Sequence, residues 1–424
     1  MESYKEKAKE ISVFGQYDVI VVGGGCAGLS AAIAAARNGA NTLIIERFGY
    51  FGGTATASLM LNINAFRNQK KPDYLQTSKG IAEEIILKMD EIDGLGDMTS
   101  YEQEEYELKP GNLSYSYPID PEKFKYLTLK LVKESGADIL FHTYFSDVIM
   151  EDDKLKGIIV ENKSGRQAIK GDIIIDASGD ADAAYKAGVP YREVKGDEEP
   201  RLGDQLMYRI SGFDREGDLS AVNDWGSGPV AAGCMNIWGP SAPLLNGTNA
   251  QELTREEIET RLKTYDHFKK LKENNSALDN AHIIATGPLV GIRQTRFIEG
   301  QYKLTADDVL EGRQFDDVIA LCSSPIINYY GYRRYLEHEG YDIPYRCLLP
   351  RKIDNLIVAG RCISSDQPSY ESYRAMAPIM SIGEGAGTAA AVCIDDNTVP
   401  KNVDITKVQQ KLKAQNAEIG QNRQ

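Results

Sequence analysis

The sequence predicts an α/β fold: a parallel sheet assembled from separated segments of the chain, with a mixed α+β lobe inserted between them. Three observations predict it. A β-branched strand, a small-residue helix and a second strand follow one another without a break from Tyr17 to Glu46. Two later apolar stretches, "GDIIIDASGD" and "IDNLIVAGRC", are each a buried strand that ends in a glycine turn. Between them, segments rich in Gly, Pro and aromatic residues surround one long charged helix, the pattern of an inserted lobe. A length of 424 residues suits two domains, or one large domain with such an insertion.

In chain order, the opening "MESYKEKAKEISVFGQYD" is charged and lacks an apolar h-region, so no secretory signal is visible. The following run has no charged side chain between Asp18 and Arg37, which raises the question of a bilayer span. A span needs roughly 20 predominantly apolar residues, and this run breaks at Gly23, Gly24 and Gly25. No membrane span is predicted there or elsewhere. The run reads instead as the strand "YDVIVVG", the helix "AGLSAAIAAARNG" stopped by Gly39, and the strand "NTLIIE". Gly23, Gly25 and Gly28 form G-x-G-x-x-G at the strand-to-helix turn. The first glycine permits the tight turn, the second lets the backbone approach a pyrophosphate, and the third lets helix and strand pack closely. The helix N-terminus turns its N–H groups to the phosphates. Glu46 ends the second strand, eighteen residues after Gly28, where a carboxylate can accept from a ribose 2′-OH. The glycines alone are a weak signal; the flanking strands, the small residues Ala31, Ala32 and Ala35, and the terminal acid make the case for a dinucleotide.

"RFGYFGGTATAS", Arg47 to Ser58, is a second Gly-rich loop suited to a long ligand lying across the sheet, and makes Arg47, Gly53 and Thr54 candidate contacts. "GDIIIDASGDADAAYKAG" spans Gly171 to Gly188, and "IDNLIVAGRCISSD" runs from Ile353 past Gly360 and Arg361. "RAMAPIMSIGEGAGTAAAV" then reads as a helix with Pro378 as its first residue. The lobe is less legible. "YRISGFDREGDLS" and the segment from Trp225 to Pro243 have the composition of a cap, and "TREEIETRLKTYDHFKKLKENN" is an amphipathic helix with a solvated outer face.

Composition narrows the function. A net charge of −14 disfavours nucleic acid and anionic membrane surfaces as partners. Six cysteines are scattered with no CxxC pair and no zinc spacing, as in a reduced, cytoplasmic protein, and no metal site is predicted.

In "YDVIVVGGGCAGLSAAIAAARNGANTLIIER", "DIIIDASGDADAAYKAG", "GIRQTRFIEGQY", "IPYRCLLPRKIDNLIVAGRCIS" and "SYRAMAPIMSIGEGAGTAAA", about half the chain resembles the FAD-dependent oxidoreductases of the glutathione-reductase-like superfamily. Within it, the resemblance is strongest to the branch that includes the heterodisulfide-reductase flavoprotein. It implies a GR-type FAD/NAD(P)-binding Rossmann-like domain of ββα-sandwich layers, made from residues 1–70, 115–195 and 345–424, with the substrate lobe in 71–114 and 196–344. The resemblance also implies residue roles. Gly23, Gly25 and Gly28 hold the pyrophosphate of a non-covalent FAD and Glu46 its ribose; Phe145 touches adenine through its backbone. Ser178 and Gly179 line the adenosine, Gly360 and Arg361 approach the ribityl chain, and amides near Ile379 and Met380 face the flavin N1–C2=O edge. A helix N-terminus there stabilises the anionic reduced flavin by about 0.3–1 kcal/mol, up to ~2 when partly buried.

What is missing also constrains the chemistry. There is no redox cysteine pair, no iron–sulfur cysteine run and no second nucleotide motif, since "GEGAG" lies inside the predicted last helix. The electron acceptor is therefore left open among oxygen, a quinone, a carrier protein and improvised nicotinamide binding. Arg293 and Arg296 of "GIRQTRFIEG" are expected to converge with Arg374 on a small substrate. "NYYGYRRYLEHEGYDIPYR" packs six tyrosines, three arginines and His338 into nineteen residues, with His338 the candidate base. Cys362 reads as a buried, inert thiol. The leading expectation is hydride transfer between a small polar or anionic metabolite and flavin N5. Two alternatives stand beside it: fumarate-reductase-like reduction of an activated double bond, and an electron-relay subunit without its own substrate. A homo-oligomer is possible on either reading.

Overall fold

The computed structural model describes residues 4–5, 7–70, 74–96, 108–109, 111, 113–152, 154–194, 202–219, 222, 228–231, 233–241, 246–327, 329–330 and 333–420. Trp225 of the predicted cap, and Asn328, Gly331 and Tyr332 of the tyrosine-rich segment, lie outside the described residues.

Five parallel strands form the heart of a seven-stranded sheet, in the order Asp138–Leu140, Thr42–Ile45, Ser12–Val22, Gly165–Asp176 and Leu356–Val358. Parallel strands covered on both faces read as unbroken apolar runs, and Val19, Ile20, Val21 and Val22 are at most 2% exposed. The strand Gly165–Asp176 is long enough to serve two partners. Its first half pairs antiparallel with Lys154–Asn162, and its last residues pair parallel with Leu356–Val358. The first strand starts at Ser12, ahead of the predicted Tyr17, because Ser12 to Tyr17 pair with Gln167 to Gly171. His142 occupies the turn between Asp138–Leu140 and Tyr144–Glu151, with φ +52°.

The register decides where a ligand can sit. Val22 lies beside Ile45 on one side and Asp176 on the other, and Asp176 lies beside Val358. The ladder runs one step further, with Gly23 N–H donating to Ile45 O, Ala177 N–H to Val22 O and Ala359 N–H to Asp176 O. The turns carrying Gly23, Glu46, Ser178 and Gly360 therefore leave the sheet side by side, at the carboxyl ends of the strands, where open α/β sheets bind their ligands.

Behind that edge the helix Cys26–Arg37 crosses the long helix Met376–Asp395. A Cβ at Gly383 would lie 2.1 Å from Ala27 O, and one at Gly387 2.1 Å from Ala31 O. "GEGAG" is thus a helix-crossing stripe, which explains glycines that otherwise cost a helix about 1 kcal/mol each. The helix begins at Met376, so Pro378 is its third residue and not its first; the missing N–H still falls in the first turn, where it is not needed. This helix is long and apolar enough to cross a membrane, contrary to the reading that no such segment exists, but 94% of that window is buried inside the protein.

The lobe has a core of its own. An antiparallel sheet in the order Gly228–Ala231, Cys234–Ile237, Tyr208–Ser211 and His282–Thr286 packs Tyr208, Ile210, Met235 and Ile237 against Phe268 of the charged helix Ala250–Glu273. His267 on that helix bonds Tyr208 Oη at 2.9 Å, a structural contact.

Glu384 lies in the middle of the long helix, 1% exposed, and accepts from Ile81 N–H at 3.0 Å. Burial pushes its carboxyl up to about 8, against the opposing pull of that N–H and of Arg37. A folded-state value above the unfolded one means the folded protein holds the extra proton, so stability is lost as pH rises from the unfolded value, near 4.3, through about 8. Glu384→Gln keeps an oxygen for Ile81 and carries no charge. Its melting temperature should equal or exceed that of the parent protein at pH 8.5–9, with the advantage shrinking toward pH 6. A variant less stable than the parent across that whole range would contradict the burial argument.

Candidate functional site

Helix capping sorts the helices into two groups. The helices Pro121–Glu134, Ala250–Glu273, Ala306–Glu311, Gln367–Tyr373 and Ile405–Ala414 are capped by the side chains of Asp120, Asn249, Thr305, Asp366 and Asp404. Cys26–Arg37 and Met376–Asp395 begin on Gly25 and Ala375 with no side-chain cap, as do Thr54–Ala57, Ile81–Asp90 and Asp182–Lys186 on Gly53, Gly80 and Ala181. A helix end buried without partners leaves N–H groups and positive partial charge for something else to satisfy. Of these five, Ile81–Asp90 has its first N–H taken by Glu384, and Cys26–Arg37 and Met376–Asp395 are the two that the sequence expects at the pyrophosphate and the flavin edge.

Around the first of them the chain is shaped to leave space. Gly23 has φ +97°, and a Cβ at Gly28 would lie 1.8 Å from Gly23 O. The second Gly-rich loop closes on the first: Gly52 N–H donates to Gly24 O at 2.9 Å, and a Cβ at Gly53 would meet Gly25 Cα at 2.8 Å. A Cβ at Gly25 would meet only Gly53 Cα, at 3.8 Å. Gly360 abuts Ala27, with a Cβ there 3.3 Å from the alanine methyl. Gly23, Gly25, Gly28, Gly53 and Gly360 thus meet at one place. Thr54 is exposed just past Gly53, and Arg47 lies over the Phe48 ring at 5.1 Å.

Glu46 is 7% exposed and accepts from Gly24 N–H at 2.7 Å and Phe48 N–H at 2.9 Å. Burial raises its pKa, and those two N–H groups work against the rise. The carboxylate therefore stitches the two glycine loops together. The segment before Phe145 joins it, since Thr143 N–H donates to Glu46 O. Phe145 itself is half-buried against the sheet core.

Other expected contacts are engaged elsewhere. Ser178 Oγ donates to the buried Asp176 at 2.6 Å and accepts from Asp182 N–H, so its hydroxyl holds the turn. The Arg361 guanidinium donates to Gly179 O at 2.7 Å, to Ile292 O at 2.6 Å and to Asp180 at 2.6 Å. Burial opposes its charge, and Asp180 more than compensates, holding its pKa above the usual arginine value. Arg361 is a brace between the sheet edge and the lobe, and Gly360 is the part of that pair facing the crevice. Ile379 N–H donates to Ala375 O; because the helix starts two residues earlier than expected, its first-turn amides are those of Met376 and Ala377, and neither Ile379 nor Met380 supplies them.

The arginines divide. Arg293 is half-buried, donates to Gly203 O and Gln205 Oε1, and lies 5.4 Å from the Trp238 ring centroid. Burial and the nearby Arg374 bring its pKa down to about 10. Arg374 is ion-paired to Glu371 at 2.8 Å. Arg296 does not join them: it reaches Asp180 O and Asp182 at 3.0 and 2.9 Å, and stacks on Tyr185 at 4.3 Å. The chain thus supplies a carboxylate to Arg374 and to Arg296 and neutral oxygens to Arg293, so a bound anion is not required to hold them. His338 is also elsewhere. Its Nε2 bonds Val309 O of the helix Ala306–Glu311 at 2.8 Å and its Nδ1 meets the main chain of Gly340 two residues on, so both nitrogens are engaged by backbone. Among the cysteines, burial pushes Cys26 up to about 12 and Cys362 higher still, as inert thiols require.

The main feature missed in the sequence is the helix Gln367–Tyr373. All seven of its residues are buried, yet "QPSYESY" contains no aliphatic side chain. Gln367 Nε2 donates to Gln294 Oε1 at 2.6 Å and to Glu371 Oε1 at 3.2 Å, and Tyr370 Oη donates to Arg293 O. Tyr373 Oη bonds Ser365 and Arg361 O. The available signal was its place, between a strand-end glycine and an uncapped helix.

Comparison with known proteins agrees with this geometry. The profile described as FAD dependent oxidoreductase matches residues 18–231 and 225–412. Thiamine thiazole synthase of Methanococcus maripaludis is 27% identical over 180 residues, 40% of this chain and 58% of its own. Digeranylgeranylglycerophospholipid reductase of Methanoculleus marisnigri is 28% identical over 183 residues, 42% of this chain and 44% of its own. The chain thus spans about half the length of the curated relatives it matches. A geranylgeranyl bacteriochlorophyll reductase-like protein of Thermoplasma acidophilum superposes with a TM-score of 0.49 at 18% identity, covering 95% of this chain and 84% of that one.

Proposed function

Because the chain belongs to the FAD-dependent oxidoreductases, we propose that it exchanges a hydride between a small polar metabolite and FAD held without a covalent bond at the strand-end crevice. The carrying observation is the buried polar helix Gln367–Tyr373, which ends one residue before the Arg374 that precedes the uncapped helix. The residues fit the cofactor: Gly25 opens onto space, where a Cβ would meet only Gly53 Cα at 3.8 Å, and the helix N-termini at Gly25 and Ala375 have no side-chain cap. Bound FAD supplies a two-electron acceptor. The protein's own residues do the rest. The loops joined by Glu46 hold the pyrophosphate and ribose, Arg361 braces the lobe against the sheet edge, and Arg293, Glu371 and Arg374 orient the substrate. Tyr370, pushed up to about 12 by burial, stays protonated. With His338 bonded to main chain, Glu371 is the group we assign to take the substrate proton, at Oε1.

The domain limits that go with this reading are 1–70, 115–195 and 345–424 for the FAD domain and 71–114 and 196–344 for the lobe; the seven-stranded sheet falling in the first set and the four-stranded antiparallel sheet in the second supports them. The GR-type layering and the heterodisulfide-reductase branch belong to this same reading, as does a cytoplasmic setting for six unpaired cysteines. The reductase name of one relative favours a second reading, reduction of an activated double bond, with the same arginines holding the substrate.

Anaerobic titration of the yellow protein with a panel of polar metabolites tests the first reading by loss of flavin absorbance. NADH and NADPH should bleach it poorly, since the single dinucleotide motif is assigned to FAD. Bleaching within seconds by sub-millimolar nicotinamide, with no response to any metabolite, would reverse the assignment.

A further inference from the structure

We propose that Gln294 and Gln367 form a recognition edge for a ligand group presenting an N–H beside a C=O, as in a lactam, imide or primary amide. The inference deepens the proposed function and rests on it. Gln294 is 1% exposed and Gln367 2%. Each has one polar atom with no hydrogen-bond partner: Nε2 of Gln294, a donor, and Oε1 of Gln367, an acceptor. Buried amides are rarely left so, and each exception calls for an unseen partner.

The orientation of both amides is fixed from Arg374 outward. Arg374 binds Glu371 Oε2 at 2.9 Å, which leaves Oε1 to accept from Gln367 Nε2 at 3.2 Å. The same Nε2 donates to Gln294 Oε1 at 2.6 Å. Turning the Gln367 amide over would set its oxygen against the Glu371 carboxylate and the Gln294 oxygen, two acceptors facing a third. Two free amides would close into a cyclic pair with both bonds made. Here Gln367 Nε2 gives one hydrogen to Glu371 and the other to Gln294 Oε1, and the return bond from Gln294 Nε2 to Gln367 Oε1 is not made. The pair's unused atoms are one donor and one acceptor on adjoining amides, the complement of an N–H beside a C=O.

Position favours a ligand over filler. Gln294 follows Arg293, and its other neighbour, Thr295, bonds Asp180 at 2.8 Å, the carboxylate that also holds Arg361. Gln367 opens the polar helix. The edge therefore belongs to the wall where lobe and sheet edge meet. Two molecules there could present the matching group: a substrate, or the pyrimidine ring of the flavin itself, whose N3–H lies between two carbonyls.

Two titrations separate them. In the first, the yellow holoprotein is titrated with succinimide and with N-methylsuccinimide, read by perturbation of the flavin spectrum. If a substrate uses the edge, succinimide binds at least ten-fold tighter than its N-methyl derivative, and Gln367→Leu abolishes the preference. In the second, protein stripped of FAD is reconstituted with FAD or N3-methyl-FAD. If the flavin uses the edge, FAD binds at least ten-fold tighter, Gln367→Leu removes that preference, and succinimide has no effect. Absence of both preferences in the parent protein overturns the inference. Should Gln367→Leu not fold, Gln294→Met leaves the bond from Gln367 to Glu371 in place and carries the same comparison. A yellow protein without either preference defeats this inference alone, whereas a colourless protein defeats the proposed function.

Discussion

Replacing Gly28 by alanine is expected to cost the protein both its FAD and a large part of its stability. The added methyl would lie 1.8 Å from Gly23 O and 3.2 Å from the Ala177 methyl. Neither neighbour can yield cheaply. Gly23 is fixed by its N–H bond to Ile45 O, and Ala177 by its own to Val22 O. The helix Cys26–Arg37 would have to move away from the sheet, and with it the crossing on Met376–Asp395. Overpacking of this kind costs about 1–3 kcal/mol, occasionally more. Gly25→Ala gives the contrast, since its methyl would meet only Gly53 Cα at 3.8 Å and point into the crevice. Thermal melts and the ratio of flavin to protein absorbance read the two effects apart. Gly28→Ala should lose both stability and flavin, and Gly25→Ala should melt normally but bind FAD at least ten-fold more weakly. Full flavin content in both variants would remove the crevice as the cofactor site.

That contrast also shows what the sequence could and could not disclose. The unit from Tyr17 to Glu46 was legible because its meaning is local: strand, turn and helix are set by residues within reach of one another. The strands at Gly165–Asp176 and Leu356–Val358 were legible as unbroken apolar runs, the signature of a sheet covered on both faces. Side-chain destinations were not. Arg293 and Arg296 are three residues apart, yet one turns toward Trp238 and the other toward Asp182, because Arg296 sits on a short strand pairing with Tyr191–Glu193. His338 stood among tyrosines and arginines in the sequence, but its partner Val309 O comes from a helix 29 residues away. "QPSYESY" has the composition of a surface loop, and only the enclosing structure makes it a wall.

The second large effect concerns Glu371 and Arg374. Glu371 is 1% exposed and Arg374 15%, so the pair lies inside the protein. Removing one partner of a buried pair costs about 3–5 kcal/mol, because the charge left behind has lost both water and its counter-ion. Glu371→Gln is the harsher change. It leaves Arg374 facing Arg293, whose own pKa is already brought down to about 10 by burial and by Arg374. Arg374→Met strands a carboxylate that still receives a hydrogen bond from Gln367, so its penalty should fall at the lower end of that range. The double variant Glu371→Gln/Arg374→Met removes both charges and should recover much of the loss, since a buried pair replaced as a whole is often neutral in stability. Urea unfolding of the four proteins should return a coupling energy of about 2 kcal/mol or more, within the span found for residues in contact. Turnover should separate from folding in the same set. At urea-free, low-temperature conditions where Glu371→Gln remains folded and yellow, its flavin should not be reduced by the substrate, because the oxygen assigned to take the proton has become part of an amide. Additive single effects would mean the two side chains do not act as a pair, and full turnover by Glu371→Gln would move the base to another residue of the wall.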